Sequence, residues 1–366
     1  DLLPINSDKE WAENLIAPGF LAIGPKALVE RNPRQFELDL VDEQIDVTTR
    51  VMLGVSVACA RCHDHKFDPI PQADYYSLSG IFRSMTTHYG TYPTLQNRRA
   101  SNLIELPVED ESPLQPPLTS EQLKDLEHEL SLKQRELREA LAARRNRQMQ
   151  SANAASENST EFTLRPQPRV LQAAQLSATV GSLQALIDSY DSTGKPLSLC
   201  MGVQEARPVT PRILERGEFN RPGQEVQRGF PQVLCYQPAT IDSKSTGRLE
   251  FARWVGSSEN PLTARVMVNR IWLHLFGNGI VRTPEDFGST GRPPTHPELL
   301  DYLAVEFVRS GWSVKELIRQ MVNSRAYRMG SQFDEDCFEV DPENLLIWRR
   351  EPRRLEAEAI RDAMLA

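Results

Sequence analysis

Apolar residues recur at three- and four-residue steps along much of the chain, which is the spacing of amphipathic helices. The first sustained run lies between residues 36 and 55, with acidic residues between the apolar positions. It predicts a helix of about twenty residues that leads straight into Cys59. A shorter helix is predicted from Tyr75 to Met85, with Asp74 as its N-terminal cap.

A long, strongly charged helix is predicted to begin at the sequence Thr119-Ser-Glu-Gln122, the pattern of a capping box. Its apolar stripe is Leu123, Leu126, Leu130, Leu137 and Leu141. A polar, low-complexity stretch from Ser151 to Gln167 separates it from a second helix that begins near Val170. Two helices with such a link predict an antiparallel hairpin that projects from the body, as a partner-binding arm or as a spacer.

Residues 196–240 show a different pattern, because segments 197–203 and 208–214 alternate as strands do and turns rich in Gly and Pro follow them. From Gly247 onward the helical spacing returns. The predicted helices here run from Leu249 to Val255, from Asn260-Pro261 to Gly277, from a capping box at Thr295–Glu298 to Gly311, from a capping box at Ser313–Glu316 through Tyr327, and from Arg353 onward.

These elements predict a mainly α protein with a small β insert (α+β), in which a projecting helical hairpin lies between two helical domains. The predicted domains are residues 1–100, which contain the motif described below, residues 101–195 with the loop and the hairpin, residues 196–240 with the small β unit, and residues 241–366 with a helical carboxy-terminal domain.

The chain has 366 residues, of which 40% are hydrophobic and 25% charged, and its net charge is -8. The acidic balance argues against nucleic acid as a partner, and no apolar run is long enough for a membrane span. The chain begins with Asp1 and stops at Ala366 inside a helical pattern, so we expect a fragment cut at both ends.

The stretch Cys59-Ala-Arg-Cys-His63 holds two of the five cysteines and one of the six histidines. Cys-x-x-Cys-His is the attachment signature of a c-type haem, in which two thiols bond the porphyrin vinyl groups and the His is an axial ligand of the iron. The sequence therefore predicts haem c held by Cys59, Cys62 and His63. Haem attachment would place the protein outside the cytoplasm, in the periplasm or secreted.

Two other interpretations of the cysteines stay open. Cys59, Cys62, His63 and His65 could form a compact zinc or iron site, since two thiolates and two imidazoles suit such an ion. This requires an extended backbone, because on a helix His63 and His65 would point in nearly opposite directions. Alternatively, the two cysteines are a structural or redox pair.

The distal ligand of a haem would decide between electron transfer and small-ligand chemistry. The candidates are His65, His88, His274, Met52, Met85, Met201 and Met267, among which His274 follows the run Asn-Arg-Ile-Trp at a helix end.

A polar cluster also interrupts an otherwise apolar helical region. Its members are Asn269, Arg270, Arg282, Glu285 and Asp286. They form either a substrate pocket for a sugar-like or anionic molecule or a buried ion-pair network between helices. Arg349, Arg350, Arg353 and Arg354 could likewise bind anions, or form a solvated basic patch.

Several stretches together resemble a known pair of bacterial domains, the planctomycete cytochrome-c-like domain and its companion carboxy-terminal domain, a DUF-1549/DUF-1553 type pair of unknown function. These stretches are Val41-Asp-Glu-Gln-Ile-Asp-Val-Thr-Thr49, Cys59-Ala-Arg-Cys-His-Asp-His-Lys-Phe-Asp-Pro69, Asp74-Tyr-Tyr76, Asn260-Pro-Leu-Thr-Ala-Arg265, Val268-Asn-Arg-Ile-Trp272, Thr283-Pro-Glu-Asp-Phe-Gly288, His296-Pro-Glu-Leu-Leu300 and Arg353-Arg-Leu-Glu-Ala-Glu358. The resemblance implies a secreted or periplasmic protein that binds haem.

The sequence therefore predicts an extracytoplasmic haem c protein that transfers electrons as the redox partner of an oxidoreductase. One alternative is a structural or interaction protein with a compact Cys/His zinc or iron site and a partner on the helical hairpin. Another is a non-redox enzyme whose pocket lies around Asn269–Asp286 in the carboxy-terminal domain.

Overall fold

The computed structural model describes residues 3–108, 115–154 and 168–365. The chain divides into two compact units, each built from two stretches of sequence. The first unit contains Asp1–Val41 and Arg83–Arg207, and the second contains Asp42–Phe82 and Pro208–Ala366.

Helices dominate the described residues, as the apolar spacing predicts. They are α1 (Asp8–Ile16), α2 (Phe20–Ile23), α3 (Pro33–Thr48), α4 (Gln72–Phe82), α5 (Ser120–Ala154), α6 (Pro168–Ile187), α7 (Arg248–Val255), α8 (Thr263–Phe276), α9 (Pro297–Arg309), α10 (Val314–Val322), α11 (Glu335–Val340) and α12 (Ala357–Leu365). With short strands beside them, the predicted class of mainly α with a small β component is confirmed. Within the described residues, no helix is both long enough and apolar enough to cross a bilayer.

The strands form two-stranded antiparallel ladders. They are β1 (Met85–His88), β2 (Ile104–Glu105), β3 (Leu199–Cys200), β4 (Gly202–Glu205), β5 (Arg212–Leu214) and β6 (Pro222–Glu225). In the first unit β1 pairs with β4 and β2 with β3, and in the second unit β5 pairs with β6. The strands predicted from residue 196 onward are present, but β3 and β4 take partners from residues 85–105 rather than from their own segment.

In the first unit α5 and α6 pack against each other as the predicted hairpin. Tyr190 and Ser189, just after α6, donate hydrogen bonds to the Pro116 carbonyl and the Gln115 side chain, just before α5. The two helices are therefore antiparallel. The capping box is confirmed, because Thr119 and Gln122 each bond the other's backbone N–H through their side chains. The predicted polar link lies mostly at residues 155–167, outside the described residues.

The second unit has a core formed by α8, α9 and α10. Val268 and Trp272 of α8 pack with Leu303 and Phe307 of α9 and with Met321 of α10. Asn260 accepts hydrogen bonds from the backbone N–H groups of residues 262 and 263 at the start of α8, and Gly277 ends this helix with a φ of 93°. The end at Gly277 is predicted from the sequence, whereas α8 begins at Thr263 rather than at the predicted Asn260-Pro261.

Several predicted caps and helix ends are wrong. No capping box forms at Thr295, because its hydroxyl bonds the Ile280 carbonyl and His296 is the N-cap of α9 without a side-chain bond. Helix α10 ends at Val322 rather than Tyr327. Asp74 does not cap α4, because the helix already begins at Gln72 and the Asp74 carboxylate accepts the Gln232 N–H instead.

The helix predicted to reach Cys59 ends earlier than its apolar spacing suggests. After α3 the backbone widens into a π-helical turn, Thr49–Leu53, and then reverses at Gly54, whose φ is 63°. The Thr49 hydroxyl bonds the Ile45 carbonyl inside this region. The carbonyl groups of Arg50 and Gly54 in this region also accept hydrogen bonds from other segments of the same unit.

Candidate functional site

The Cys-x-x-Cys-His motif lies on a short 3-10 helix, Val57–Arg61, and on the loop after it. Val57 and Ala60 are completely buried, whereas Cys59, Cys62 and His63 are exposed. Because a 3-10 helix has about three residues per turn, side chains three positions apart lie on one side of it. The small apolar residues therefore anchor the turn, and both thiols and the imidazole face solvent.

Arg61, between the two cysteines, fixes this turn to the rest of the second unit. Its Nη1 lies 3.2 Å from Oδ2 of Asp42, and its carbonyl accepts hydrogen bonds from Gln72 Nε2 at 2.9 Å and from the Tyr76 hydroxyl at 3.0 Å. Burial raises the pKa of Tyr76 to about 12, so the hydroxyl remains a donor at neutral pH. Arg61, the residue next to Cys62 in the motif, is thus held through both its side chain and its carbonyl group.

A second loop passes close to Cys62. A Cβ atom on Gly217 would lie 2.9 Å from the Cys62 Sγ and 3.4 Å from the Cγ of Arg61. Gly217 also has a φ of 74°, a conformation that favours glycine. This glycine, in the connection between β5 and β6, therefore leaves the space that the second thiol occupies.

The hydrogen bond of His63 indicates which of its ring nitrogens is the donor. Its Nδ1 lies 2.6 Å from the carbonyl oxygen of Asp64, and a carbonyl can only accept. Nδ1 therefore donates to this carbonyl, and in the corresponding tautomer the lone pair lies on Nε2. A histidine that donates through Nδ1 to a backbone carbonyl and ligates through Nε2 is the usual arrangement of an imidazole ligand.

His65 has a different role from His63. Its Nδ1 accepts the backbone N–H groups of Asp68 at 2.8 Å and of Phe67 at 3.3 Å, and its Nε2 lies 3.3 Å from the Ser56 hydroxyl. An Nδ1 atom that accepts N–H groups carries no proton, so its 3.7 Å approach to the Asp68 carboxylate is not an ion pair. Both ring nitrogens of His65 therefore form hydrogen bonds that stabilise the loop after the motif.

The four side chains of the predicted compact zinc or iron site do not form such a site here. Within residues 3–108, 115–154 and 168–365, no group of three or more Cys, His, Asp or Glu side chains is arranged to hold a metal ion. The motif nevertheless keeps the three groups that haem attachment requires, since Cys59 and Cys62 are exposed free thiols and the exposed His63 bonds the Asp64 carbonyl.

The loop after the motif is fixed by a distant segment of the same unit. The Asp68 Oδ1 accepts the backbone N–H and the hydroxyl of Ser289, both at 2.7 Å. A Cβ atom on Gly288 would lie 2.5 Å from the Asp68 carboxylate, so this approach requires glycine. The stretch Thr283–Gly288, which carries part of the family resemblance, therefore supports the loop of the cysteine motif.

The π-helical turn before the motif contacts α8. The Arg270 Nη2 donates to the Arg50 carbonyl at 3.2 Å, and the Phe287 N–H donates to the Gly54 carbonyl at 2.7 Å. Arg270 thus binds the backbone of the π turn, as a guanidinium can because it presents several donors.

The remaining members of the predicted pocket have different surroundings and different hydrogen-bond partners. Asn269 is fully buried and bonds Val281, and Asp286 accepts hydrogen bonds from Gly288 N and the Thr290 hydroxyl. Glu285 is exposed, and the Arg282 Nη2 donates to the Glu343 carbonyl at 2.8 Å. In the described residues these arginines bond backbone carbonyls, so the ion-pair network that the sequence suggested is not formed. Only Arg282 of this group lines the pocket described below.

The distal haem ligand stays a prediction. His274 is exposed on the last turn of α8, where its carbonyl accepts a hydrogen bond from Arg353 at 2.8 Å. Met52 is half-buried on the π-helical turn and Met267 is half-buried on α8. His88, Met85 and Met201 belong to the first unit.

Sequence reasoning did not find Asp42, Gln72 and Gly217, which hold the motif in place. Asp42 looks like an ordinary helix acid, and Gln72 like the first residue of a helix after proline. The Arg-Gly pair at Gly217 did indicate a turn, but its distance from Cys62 in sequence gave no sign of their contact.

The fold and the site define a mainly helical protein that presents a Cys-x-x-Cys-His turn on one of its two units. Residues 1–87 match PSCyt2, a protein of unknown function (DUF1549), and residues 247–366 match PSD1, a protein of unknown function (DUF1553). These matches confirm the DUF1549 and DUF1553 pair that the sequence resembles, as two domains of unknown function. No curated protein and no solved structure matched the chain.

Proposed function

We propose that this protein carries one covalently attached haem c and transfers electrons outside the cytoplasm. One observation supports this proposal above the others. The side chains that haem attachment requires, those of Cys59, Cys62 and His63, are exposed on one anchored turn, and the Nε2 atom of His63 is free to bind iron.

The residues present fit this cofactor. Cys59 and Cys62 would hold the porphyrin through thioether bonds, and His63 would be the axial ligand on the proximal side. When bound, haem supplies a one-electron couple. The chain's own contribution is to position the two thiols, through the bonds that Asp42, Gln72 and Tyr76 make to Arg61.

The partner in this proposal is an oxidoreductase that exchanges electrons with the haem. The pair of helices α5 and α6 is the candidate arm for a protein partner, because the predicted polar faces of these helices are exposed over much of their length. Covalent haem attachment implies a periplasmic or secreted location. A compact zinc or iron site and a non-redox enzyme are the competing proposals.

The first experiment is a visible spectrum of the full chain, secreted from a bacterial host that has the cytochrome c maturation machinery. We expect a Soret band and a haem-stained band after denaturing electrophoresis. Both should be lost when Cys59 and Cys62 are replaced together by Ala. The matched control is Cys337→Ala, which removes a cysteine outside the motif and should leave both signals unchanged.

The His63→Ala variant separates attachment from ligation. It should keep the stained band, because the thioether bonds remain, but shift the absorption maxima, because an axial ligand of the iron is lost. A colourless wild-type protein that contains zinc or iron would overturn the haem proposal and favour a compact metal site.

A further inference from the structure

Three arginines from two distant segments of the second unit line one pocket next to the end of α8. Arg282 follows the turn after α8, whereas Arg349 and Arg350 lie in the segment between α11 and α12. Trp272 and Phe276 of α8 line the same pocket, and their rings stack with centroids 3.8 Å apart. The site therefore combines cationic groups with an aromatic wall.

The segment that carries two of these arginines is fixed by its own side chains. The buried Asp341 carboxylate accepts the backbone N–H groups of residues 345 and 346, and Asn344 Nδ2 bonds the Arg349 carbonyl. Ile347 has a φ of 58°, which is costly for a β-branched residue. The chain thus holds this segment in a strained conformation that places Arg349 and Arg350 beside each other in the pocket wall.

Aromatic rings lie close to two of the guanidinium groups. The Cζ of Arg350 lies 3.7 Å from the ring centre of Tyr327, and that of Arg349 lies 4.8 Å from the ring centre of Trp348. When a ring packs on the face of a guanidinium, the in-plane N–H groups of that guanidinium remain available for hydrogen bonds. Arg350 uses one of them on the Leu275 carbonyl at the end of α8, at 2.9 Å.

Each of the three arginines has a buried N–H that finds no partner in the part of the chain that the structure describes. These atoms are Nε of Arg282, Nε of Arg349 and Nη1 of Arg350. Among the residues that the structure describes, none of the three guanidinium groups forms an ion pair with a carboxylate, and Glu351 is the single acid in the pocket lining. A buried donor without a partner costs about 1–3 kcal/mol, so three such donors on residues that line one pocket favour the binding of an acceptor there.

We infer that this pocket binds the oxyanion group of a small anionic molecule, with the three arginines as donors. Guanidinium groups match the geometry of carboxylate, sulfate and phosphate oxygens. The cavity has a volume of about 30 Å³, and one water needs about 10–15 Å³ on the same scale. The pocket therefore accepts a charged group, while the rest of the ligand would extend past the aromatic wall. This inference does not depend on the haem proposal.

The test measures binding of phosphate, sulfate and acetate to the full chain by calorimetry, with chloride holding the ionic strength constant. At least one of the three anions should bind saturably at one site. A preference for phosphate or sulfate would indicate a tetrahedral group, and a preference for acetate would indicate a carboxylate. The Nε–H resonances of Arg282 and Arg349 should shift with the same dependence on anion concentration.

Two substitutions and one control assign the binding to the pocket. Arg349→Gln should weaken binding at least about tenfold, because it removes a charge and a donor, and Arg349→Lys should recover part of the affinity. Arg349 is suitable because its guanidinium has ring contacts, while its Nε has no hydrogen-bond partner among the described residues. Arg309→Gln, at an exposed arginine of α9, should leave the affinity unchanged. Absence of saturable binding, or equal loss in Arg309→Gln and Arg349→Gln, would overturn the inference.

Discussion

The side-chain amide of Asn269 forms two hydrogen bonds with the backbone of Val281. Its Nδ2 donates to the Val281 carbonyl at 2.9 Å and its Oδ1 accepts the Val281 N–H at 2.8 Å. Asn269 is fully buried on α8, and Val281 is almost as deeply buried in the segment that follows the helix. Two hydrogen bonds from one side chain therefore fix the backbone immediately before Arg282, which lines the arginine pocket.

Replacement of Asn269 by Leu should lower the free energy of unfolding by about 2–4 kcal/mol, because it leaves a buried N–H and a buried carbonyl without partners. Urea unfolding checks this. The control is Asn323→Ala, at an exposed asparagine after α10, which should change stability by less than about 0.5 kcal/mol. Similar small losses in both variants would show that Val281 finds other partners.

His65 should be a structural residue rather than a ligand. We expect His65→Ala to lower the free energy of unfolding by about 1–2 kcal/mol, because the Asp68 and Phe67 N–H groups lose their acceptor. His63→Ala should leave stability nearly unchanged, since that side chain is exposed. In the haem-loaded protein the visible spectrum should respond to the other histidine. His63→Ala should alter the spectrum, and His65→Ala should not.

One result would contradict these different roles of His63 and His65. If His65→Ala removed bound metal or changed the spectrum as much as His63→Ala, both imidazoles would be ligands, and the compact metal site would replace the haem proposal.

Gly217 should be required because of the Cys62 thiol. Gly217→Ala should be destabilising by about 1–2 kcal/mol from its positive φ alone, with a further cost of about 1 kcal/mol from crowding of the Sγ. Gly311 provides a matched control, since its φ is 71° and a Cβ there would meet no atom within 4 Å. Gly311→Ala should therefore show the conformational cost without the crowding.

A double-mutant cycle isolates the contact with the thiol. In a Cys62→Ala background the Sγ is absent, so Gly217→Ala should lose its excess cost and match Gly311→Ala. An equal cost of Gly217→Ala with and without the thiol would mean that crowding at Cys62 does not limit position 217.

The sequence predicted those features that a side chain and a nearby backbone group create together. The capping box at Thr119–Gln122 and the ending of α8 at Gly277 are both confirmed. Each depends on groups within about four residues of one another. The Cys-x-x-Cys-His motif was visible for the same reason, because its three side chains lie within five positions.

Features that depend on distant partners were not predictable. Thr295 is in a capping-box pattern, but its hydroxyl bonds the Ile280 carbonyl, which only the folded chain brings near. Asp68 and Ser289 are 221 residues apart, so the support of the motif loop left no local pattern. The arginine pocket was missed as a unit, because Arg282 and Arg349 belonged to two separate clusters in the sequence.

Asp74 should make stability fall as the pH rises. Its side chain is fully buried on α4, where Oδ2 accepts the Gln232 N–H at 2.8 Å and Oδ1 has no partner among the described residues. Burial raises the pKa of this carboxyl above its ordinary value, and the Gln232 bond opposes the shift only in part. The folded state therefore holds the proton at pH values where the unfolded chain has released it, and the stability lost appears between those two pKa values.

Asp74→Asn removes this titration while keeping an oxygen for Gln232. Its free energy of unfolding, relative to the wild type, should increase as the pH rises through the window above the ordinary aspartate pKa, and then stay constant. Urea unfolding from about pH 4 to about pH 8 measures this difference. Asp191 is the control of opposite sign, because hydrogen bonds from Thr193 and Lys195 lower its pKa. Asp191→Asn should therefore lose stability relative to the wild type near neutral pH, and that loss should shrink as the pH falls. If the Asp74→Asn and wild-type profiles were parallel, the buried carboxyl would have an ordinary pKa.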